Sequence, residues 1–128
     1  MVVVDFAVIG FFGAAGAIGR HLLSNVGSRM ELWGIPVGTL LVNSIGSLLL
    51  GLFIGITLQM EGLSPRWRLA IATGFLGSFT TFSTFSVETV RLFERGDLVA
   101  ALANMGTQLG VGLVAAALGL TIARFALG

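Results

Sequence analysis

The chain has 128 residues, of which 55% are hydrophobic and 10% are charged, and its mean hydropathy is +1.00. Because a soluble domain carries about 25% charged residues, this composition excludes an ordinary soluble fold, a disordered chain and a nucleic-acid-binding protein. Cysteine is absent, which excludes disulfides and thiolate metal sites, and a net charge of +1 predicts no electrostatic partner.

Four long apolar runs predict an all-α membrane protein with four transmembrane helices. Each run exceeds the roughly 20 residues that a helix needs to cross about 30 Å of hydrocarbon. Short connections join the runs, so residues 1–128 are predicted to form a single membrane domain, and we expect no enzymatic activity. The predicted spans cover residues 4–26, 35–60, 68–92 and 98–126.

The first span carries a glycine at every third position, at Gly10, Gly13, Gly16 and Gly19. Such spacing is typical of a helix face that a neighbouring backbone approaches closely in lipid. Arg20 follows directly and has two interpretations. It can lie at the helix end and extend its guanidinium to the membrane surface, or it can give positive potential to a vestibule.

In the second span, small or polar residues recur every fourth position and therefore share one helix face. They are Thr39, Asn43, Ser47, Gly51 and Gly55. One interpretation is a packing seam in which Asn43 bonds to another helix. The other is a polar track along a transport pathway.

The third span contains a block, residues 73–86, that consists almost entirely of glycine, serine, threonine and phenylalanine. This composition is a poor helix former, so we expect the third helix to be broken in mid-membrane. Carbonyls freed by such a break need water, another helix or a cation. The rings of Phe82 and Phe85 have positive edges that can line an anion path; alternatively they face lipid or fill the core.

Glu88 follows this block and is predicted to face a vestibule or to pair with an arginine such as Arg91. The fourth span has a weaker stripe of residues four apart, for which packing is the simpler interpretation. Gln108 is the strong polar candidate in that stripe, which consists of Asn104, Gln108, Gly112 and Ala116.

The arginines are almost evenly divided between the two predicted membrane surfaces. Arg66, Arg68 and Arg124 lie on the side of the termini, and Arg29, Arg91 and Arg95 lie opposite, with Arg20 deeper in the first span. Membrane orientation follows an excess of basic residues on one side. Since that excess is nearly absent, we expect the protein to insert in both orientations.

The block from Gly74 to Glu88 resembles the signature of the Fluc (CrcB) family of small dual-topology fluoride channels. Residues 38–43 and 13–20 are also similar to that family, as are the length and the number of spans. The resemblance implies an antiparallel, dual-topology homodimer in the bacterial inner membrane that exports fluoride passively. It would have two pores, each built from both subunits. Fluoride itself follows from the resemblance alone, and not from composition.

The resemblance also implies roles for individual residues. Asn43 would contact fluoride, Phe82 and Phe85 would line the pore, and Thr39 and Ser83 would lie near the path. The backbone carbonyls of Gly77 and Thr80 would hold a central structural sodium ion. Independently of the resemblance, Arg20 and Glu88 are predicted vestibule residues. The chain departs from the family in span four, where Gln108 and Gly112 replace hydroxyl residues.

Two other functions are compatible with four spans of this length. A small proton-coupled multidrug exporter needs a buried carboxylate in its first span, but here Asp5 lies at the edge of that span, and the chain has no tyrosine. A structural subunit of a larger membrane complex would explain the glycine faces. It would not explain the repeated Thr-Phe-Ser sequence.

Overall fold

A computed structural model describes residues 2–128, and most of them are helical. Three helices are long and apolar enough to cross a membrane, so the expectation of an all-α membrane protein is confirmed. These helices are α1 (Val2–Gly27), α2 (Val37–Gln59) and α6 (Leu98–Leu127). Between α2 and α6 lie α3 (Pro65–Arg68), a π-helical segment (Leu69–Leu76), α4 (Gly77–Phe79) and α5 (Phe82–Glu94).

A two-stranded antiparallel hairpin connects α1 to α2, where the sequence predicts only a connection. Its strands are β1 (Glu31–Leu32) and β2 (Ile35–Pro36). Trp33 and Gly34 form the turn with positive φ angles of 53° and 78°, the combination that a tight two-residue hairpin turn requires.

The helix at α3 begins as the sequence predicts. Pro65 occupies its first turn, where a missing backbone N–H costs nothing. Ser64 precedes it, and its side chain accepts a hydrogen bond from the Trp67 backbone N–H at 3.4 Å. The start of this helix is therefore encoded locally.

The helical chain is interrupted between α4 and α5 by two extended residues. Thr80 has φ −82° and ψ 158°, and Thr81 has φ −150° and ψ 112°. The Thr81 hydroxyl caps α5 by accepting from the Thr84 backbone N–H at 3.3 Å. Because the last carbonyls of a helical segment have no partner within it, the carbonyls just before this interruption depend on other groups.

Helices α2 and α6 form the most extensive helix pair, and glycine makes their close approach possible. A Cβ at Gly51 would overlap the Ala116 carbonyl oxygen, and one at Gly119 would overlap that of Leu48. A Cβ at Gly55 would come within 2.5 Å of the Ala123 Cβ. The packing interpretation is therefore confirmed for the second half of the α2 stripe.

Helix α1 packs against the π-helical segment and α4 through the predicted glycine face. A Cβ at Gly16 would overlap the Phe75 carbonyl oxygen, and one at Gly13 would lie 3.2 Å from Ser78 Oγ. A Cβ at Gly19 would contact the Phe79 ring at 3.6 Å. Gly10 differs, because no neighbouring atom in residues 2–128 comes within 4 Å of a Cβ built there.

Candidate functional site

The side chain of Asn43 lies against the extended residues between α4 and α5. Its Oδ1 accepts from the Thr81 backbone N–H at 2.8 Å, and its Nδ2 donates to the Thr81 carbonyl oxygen at 3.0 Å. The Thr81 backbone N–H, which has no partner within α5, thus has one on α2, and the Thr81 carbonyl also bonds to α2. The sequence identified Asn43 as a polar candidate but did not identify Thr81 as its partner.

Gln108 on α6 completes this arrangement. Asn43 Nδ2 donates its second hydrogen to Gln108 Oε1 at 3.2 Å, and Gln108 is almost fully buried. The stripe on α6 therefore has a polar function at Gln108. It has a packing function at Ala116, as the sequence predicts. In the protomer, both amide hydrogens of Asn43 are used.

One turn before Asn43, Thr39 binds Glu88. Its hydroxyl donates to Glu88 Oε1 at 2.7 Å, which joins α2 to α5. The alternative prediction of an ion pair between Glu88 and Arg91 is wrong. Within residues 2–128 the one ion pair joins Arg66 Nε to Asp5 Oδ1 at 3.4 Å. The group that bonds to Glu88 is the Thr39 hydroxyl, and not the guanidinium of Arg91.

Two adjoining cavities open beside these bonds. One, of about 370 Å³, is lined by Arg20, His21 and a set of hydroxyl residues that includes Thr81 and Ser83. The other, of about 410 Å³, is lined by Glu88, Arg91 and Arg95 among others. The cavities share Ser24, Thr39 and Thr84. Arg20 and Glu88 are therefore both cavity residues, in neighbouring cavities.

Arg20 does not lie at the end of its helix, since α1 continues to Gly27. The structure thus places Arg20 within α1, at the wall of a cavity, and its role toward an anion stays a prediction. The hydroxyl groups that line the same cavity are neutral. Together they form a surface that can hydrogen-bond a small anion while carrying one positive charge.

The two phenylalanines after the extended residues have different environments. The rings of Phe82 and Phe85 meet edge to face, with centroids 5.6 Å apart and planes at 64°. Phe82 is 75% exposed, whereas Phe85 is 9% exposed. Phe85 is thus part of the protomer core, and Phe82 is free to contact something outside the protomer.

Gly77 and Thr80 are the predicted cation ligands. Gly77 is the first residue of α4, and Thr80 directly follows its last residue. Gly77 is exposed and Thr80 is partly buried. The Thr80 backbone N–H and hydroxyl both donate to the Leu76 carbonyl oxygen, at 3.1 and 3.2 Å, so its own carbonyl is the group left for a ligand. In the part of the chain that the structure describes, no three His, Asp or Glu side chains cluster as a metal site.

A second polar contact was not predicted. Asn104 Nδ2 donates to Thr89 Oγ1 at 3.0 Å, and the Thr89 hydroxyl donates to the Phe85 carbonyl oxygen at 2.8 Å. All three residues are buried. The spacing of Asn104 and Gln108 on α6 places them on one face, but their partners are 15 and 65 residues away in sequence.

The chain is similar to known proteins over nearly its whole length. The profile of the family described as "CrcB-like protein, Camphor Resistance (CrcB)" matches residues 7–120. The protein named fluoride-specific ion channel FluC from Syntrophotalea carbinolica is 48% identical over 91% of this chain and 94% of its own. Fluoride-specific ion channel FluC 2 from Symbiobacterium thermophilum is 44% identical over 87% and 90%, and FluC from Pyrococcus horikoshii is 38% identical over 95% and 96%. The chain therefore belongs to the CrcB family.

Proposed function

We propose that this protein is a channel through which fluoride leaves the bacterial cell passively across the inner membrane. The single observation that carries the proposal is the contact of Asn43 with Thr81, beside a cavity lined by Arg20 and hydroxyl groups. The names of the relatives, which are fluoride-specific ion channels, support fluoride as the ion.

The chemistry of the cavity suits a small, strongly hydrated anion. Fluoride can leave water only if hydrogen-bond donors replace its hydration shell, and conduction requires that each site be weak enough to release the ion. The Ser83 hydroxyl is such a neutral donor, and the Thr39 hydroxyl becomes one when it exchanges its bond to Glu88 for fluoride. Asn43 becomes one when it exchanges its longer bond, 3.2 Å to Gln108, for fluoride. Arg20 and Glu88 would set the potential of the vestibules.

The pathway would be completed by a second, antiparallel copy of the chain. In this arrangement residues 65–94 form a fourth, composite span that is broken at Thr80 and Thr81. The exposed ring of Phe82 supports the proposal, because a large apolar surface next to polar groups suits an interface. A pore lined by Phe82 and Phe85 would then have walls from both subunits, which gives two pores for each homodimer.

We further propose a structural sodium ion on the dimer axis, held by the carbonyls of Gly77 and Thr80. The residues fit such an ion, because Gly77 is exposed. In addition, the backbone N–H groups of Gly77 and Thr80 are both already bonded within the chain. Half-helix ends with unwound carbonyls are known sodium ligands in membrane proteins. Two carbonyls from each subunit would supply four oxygens.

Fluoride efflux from liposomes that contain only this protein tests the function. A fluoride electrode should record rapid efflux when a potassium gradient and valinomycin balance the charge, and chloride-loaded liposomes should show none. Drug uptake driven by a proton gradient would instead support an exporter. An absence of all flux would support a structural subunit, and either result would contradict the proposal.

A further inference from the structure

Two buried amide atoms on one face of α6 have no hydrogen-bond partner within residues 2–128. They are Nε2 of Gln108 and Oδ1 of Asn104. Gln108 is 7% exposed and Asn104 is 0% exposed, so a second protein chain cannot reach these atoms. Because a buried amide group without a partner is costly, the two unpaired atoms require an explanation.

The surrounding bonds determine which atom of Gln108 is unpaired. The backbone N–H of Thr81 can only donate and its carbonyl can only accept, so Asn43 must place Oδ1 on the first and Nδ2 on the second. Asn43 therefore presents an N–H to Gln108. Gln108 must accept this hydrogen bond with Oε1, so the atom without a partner is the donor Nε2.

The same reasoning determines the unpaired atom of Asn104. The carbonyl of Phe85 can only accept, so the Thr89 hydroxyl donates its one hydrogen to that carbonyl. Thr89 Oγ1 is then an acceptor, and Asn104 must donate Nδ2 to it. The atom left over is the acceptor Oδ1. The pair of free atoms is thus complementary, with one donor and one acceptor.

We propose that one buried water molecule bridges Gln108 Nε2 and Asn104 Oδ1. Residues four apart on a helix are neighbours, with Cβ atoms about 5–6 Å apart, and a water that bonds to both sides spans about 5.5 Å. Water both donates and accepts, as this site requires. A fluoride ion would satisfy Gln108 alone and would be repelled by the lone pairs of Asn104. The proposal therefore does not depend on which ion the protein transports.

The water would connect two separate networks into one. The first fixes the backbone of Thr81 through Asn43 and Gln108, and the second fixes the carbonyl of Phe85 through Thr89 and Asn104. Joined, they would attach both ends of the segment between Thr81 and Phe85 to the same face of α6. Asn104 and Gln108 would then be positioning residues for that segment.

A crystal structure of the intact protein, at a resolution that shows ordered waters, tests the site directly. We expect density within hydrogen-bond distance of both Gln108 Nε2 and Asn104 Oδ1. The variants Gln108→Met and Asn104→Leu keep side-chain bulk but each remove one partner, so both should lose that density. Thr107→Val is the matched control, because the Thr107 hydroxyl bonds to carbonyls of its own helix, and it should keep the water.

Thermal unfolding gives a second measurement. Each single variant should lower Tm, and the double variant Asn104→Leu/Gln108→Met should lower it by less than the sum, because the water is lost only once. A direct bond between the two amides, an empty site in the unmodified protein, or density that persists in either single variant would overturn the proposal. The density in the unmodified protein decides the question even if a variant does not fold.

Discussion

Asn43 binds Thr81 as a neighbouring β-strand would, with its side-chain amide paired to both backbone groups of the threonine at 2.8 and 3.0 Å. The extended conformation of Thr81 is therefore maintained by a residue 38 positions earlier in the chain. The same amide contacts Gln108, so α2, α6 and the start of α5 meet at one side chain.

Asn43→Asp should abolish most fluoride flux. The substitution replaces Nδ2 by an oxygen that faces the Thr81 carbonyl and Gln108 Oε1, and leaving such buried acceptors unpaired costs about 1–3 kcal/mol. We expect efflux from liposomes to fall at least about tenfold, which corresponds to a barrier to fluoride that is raised by about 1.4 kcal/mol. Ser47→Ala, one turn along the same helix face, is the control and should conduct normally. Normal flux in Asn43→Asp would remove Asn43 from the pathway.

Phe82→Ile and Phe85→Ile should both lower flux, since isoleucine has bulk but lacks polarised ring edges. They should differ in stability. Phe82 is mostly exposed in the protomer, so its replacement should leave protomer unfolding unchanged. Phe85 is buried, and a change of its shape should cost about 1–3 kcal/mol.

Phe125→Ile is a suitable control for the phenylalanine variants, because Phe125 is 85% exposed at the far end of α6. Flux in reconstituted liposomes and denaturant unfolding in detergent should be measured for all three. Wild-type flux in both Phe82→Ile and Phe85→Ile would mean that the rings serve packing alone.

Gly16→Ala and Gly10→Ala should have opposite effects on stability. A Cβ at Gly16 overlaps the backbone of Phe75, which cannot move independently, whereas the position at Gly10 is open. We expect Gly16→Ala to destabilise by about 1–3 kcal/mol or more and Gly10→Ala to stabilise by about 0.5–1 kcal/mol. Melting of the two proteins, side by side in the same detergent, checks this. Equal melting temperatures would contradict the close packing of α1 on the π-helical segment.

Added charge should change membrane orientation strongly, because the existing arginines nearly balance. Two lysines placed after Gly128 should bias insertion toward termini-inside and lower the yield of functional dimer. Co-expression with a variant that carries extra lysines in residues 27–36 should restore function by supplying the opposite orientation.

Cysteine labelling in intact cells measures that orientation. Glu61→Cys is a suitable label position, because Glu61 is exposed in a turn, whereas the nearby Ser64 caps α3. The chain has no native cysteine to compete, and acidic residues contribute little to orientation. Labelling of the Glu61→Cys protein from one side only would refute dual topology.

Features with a local cause were predictable from the sequence. Pro65 preceded by Ser64 is a helix start by its own chemistry, and the third-position glycines of α1 share a face by geometry alone. The residues between 73 and 86 were recognisable as poor helix formers. Composition did not say which of them would be extended, because serine and threonine occur throughout that block.

The remaining features depend on contacts between distant parts of the chain. The extended conformation of Thr81 depends on its bonds to Asn43. Glu88 bonds to Thr39, 49 residues earlier in the chain, and not to the nearby Arg91. Gln108 was recognised as polar, but a stripe on one helix does not identify the residue that it meets on another. The hairpin at Trp33 was missed because its strands have two residues each, too few to produce an alternating pattern.

The π-helical segment, residues 69–76, determines the rotational phase of everything that follows it. A π-helix forms its bonds one residue further along than an α-helix, and one residue of an α-helix corresponds to about 100° of rotation. The π-helical segment therefore accommodates one extra residue. An α-helical segment of the same length would turn α4 and the Thr80–Thr81 pair by about 100° away from α1 and Asn43 without altering any of their own residues. The spacing between Pro65 and Thr80 is therefore as much a determinant of the site as the identity of the side chains that form it.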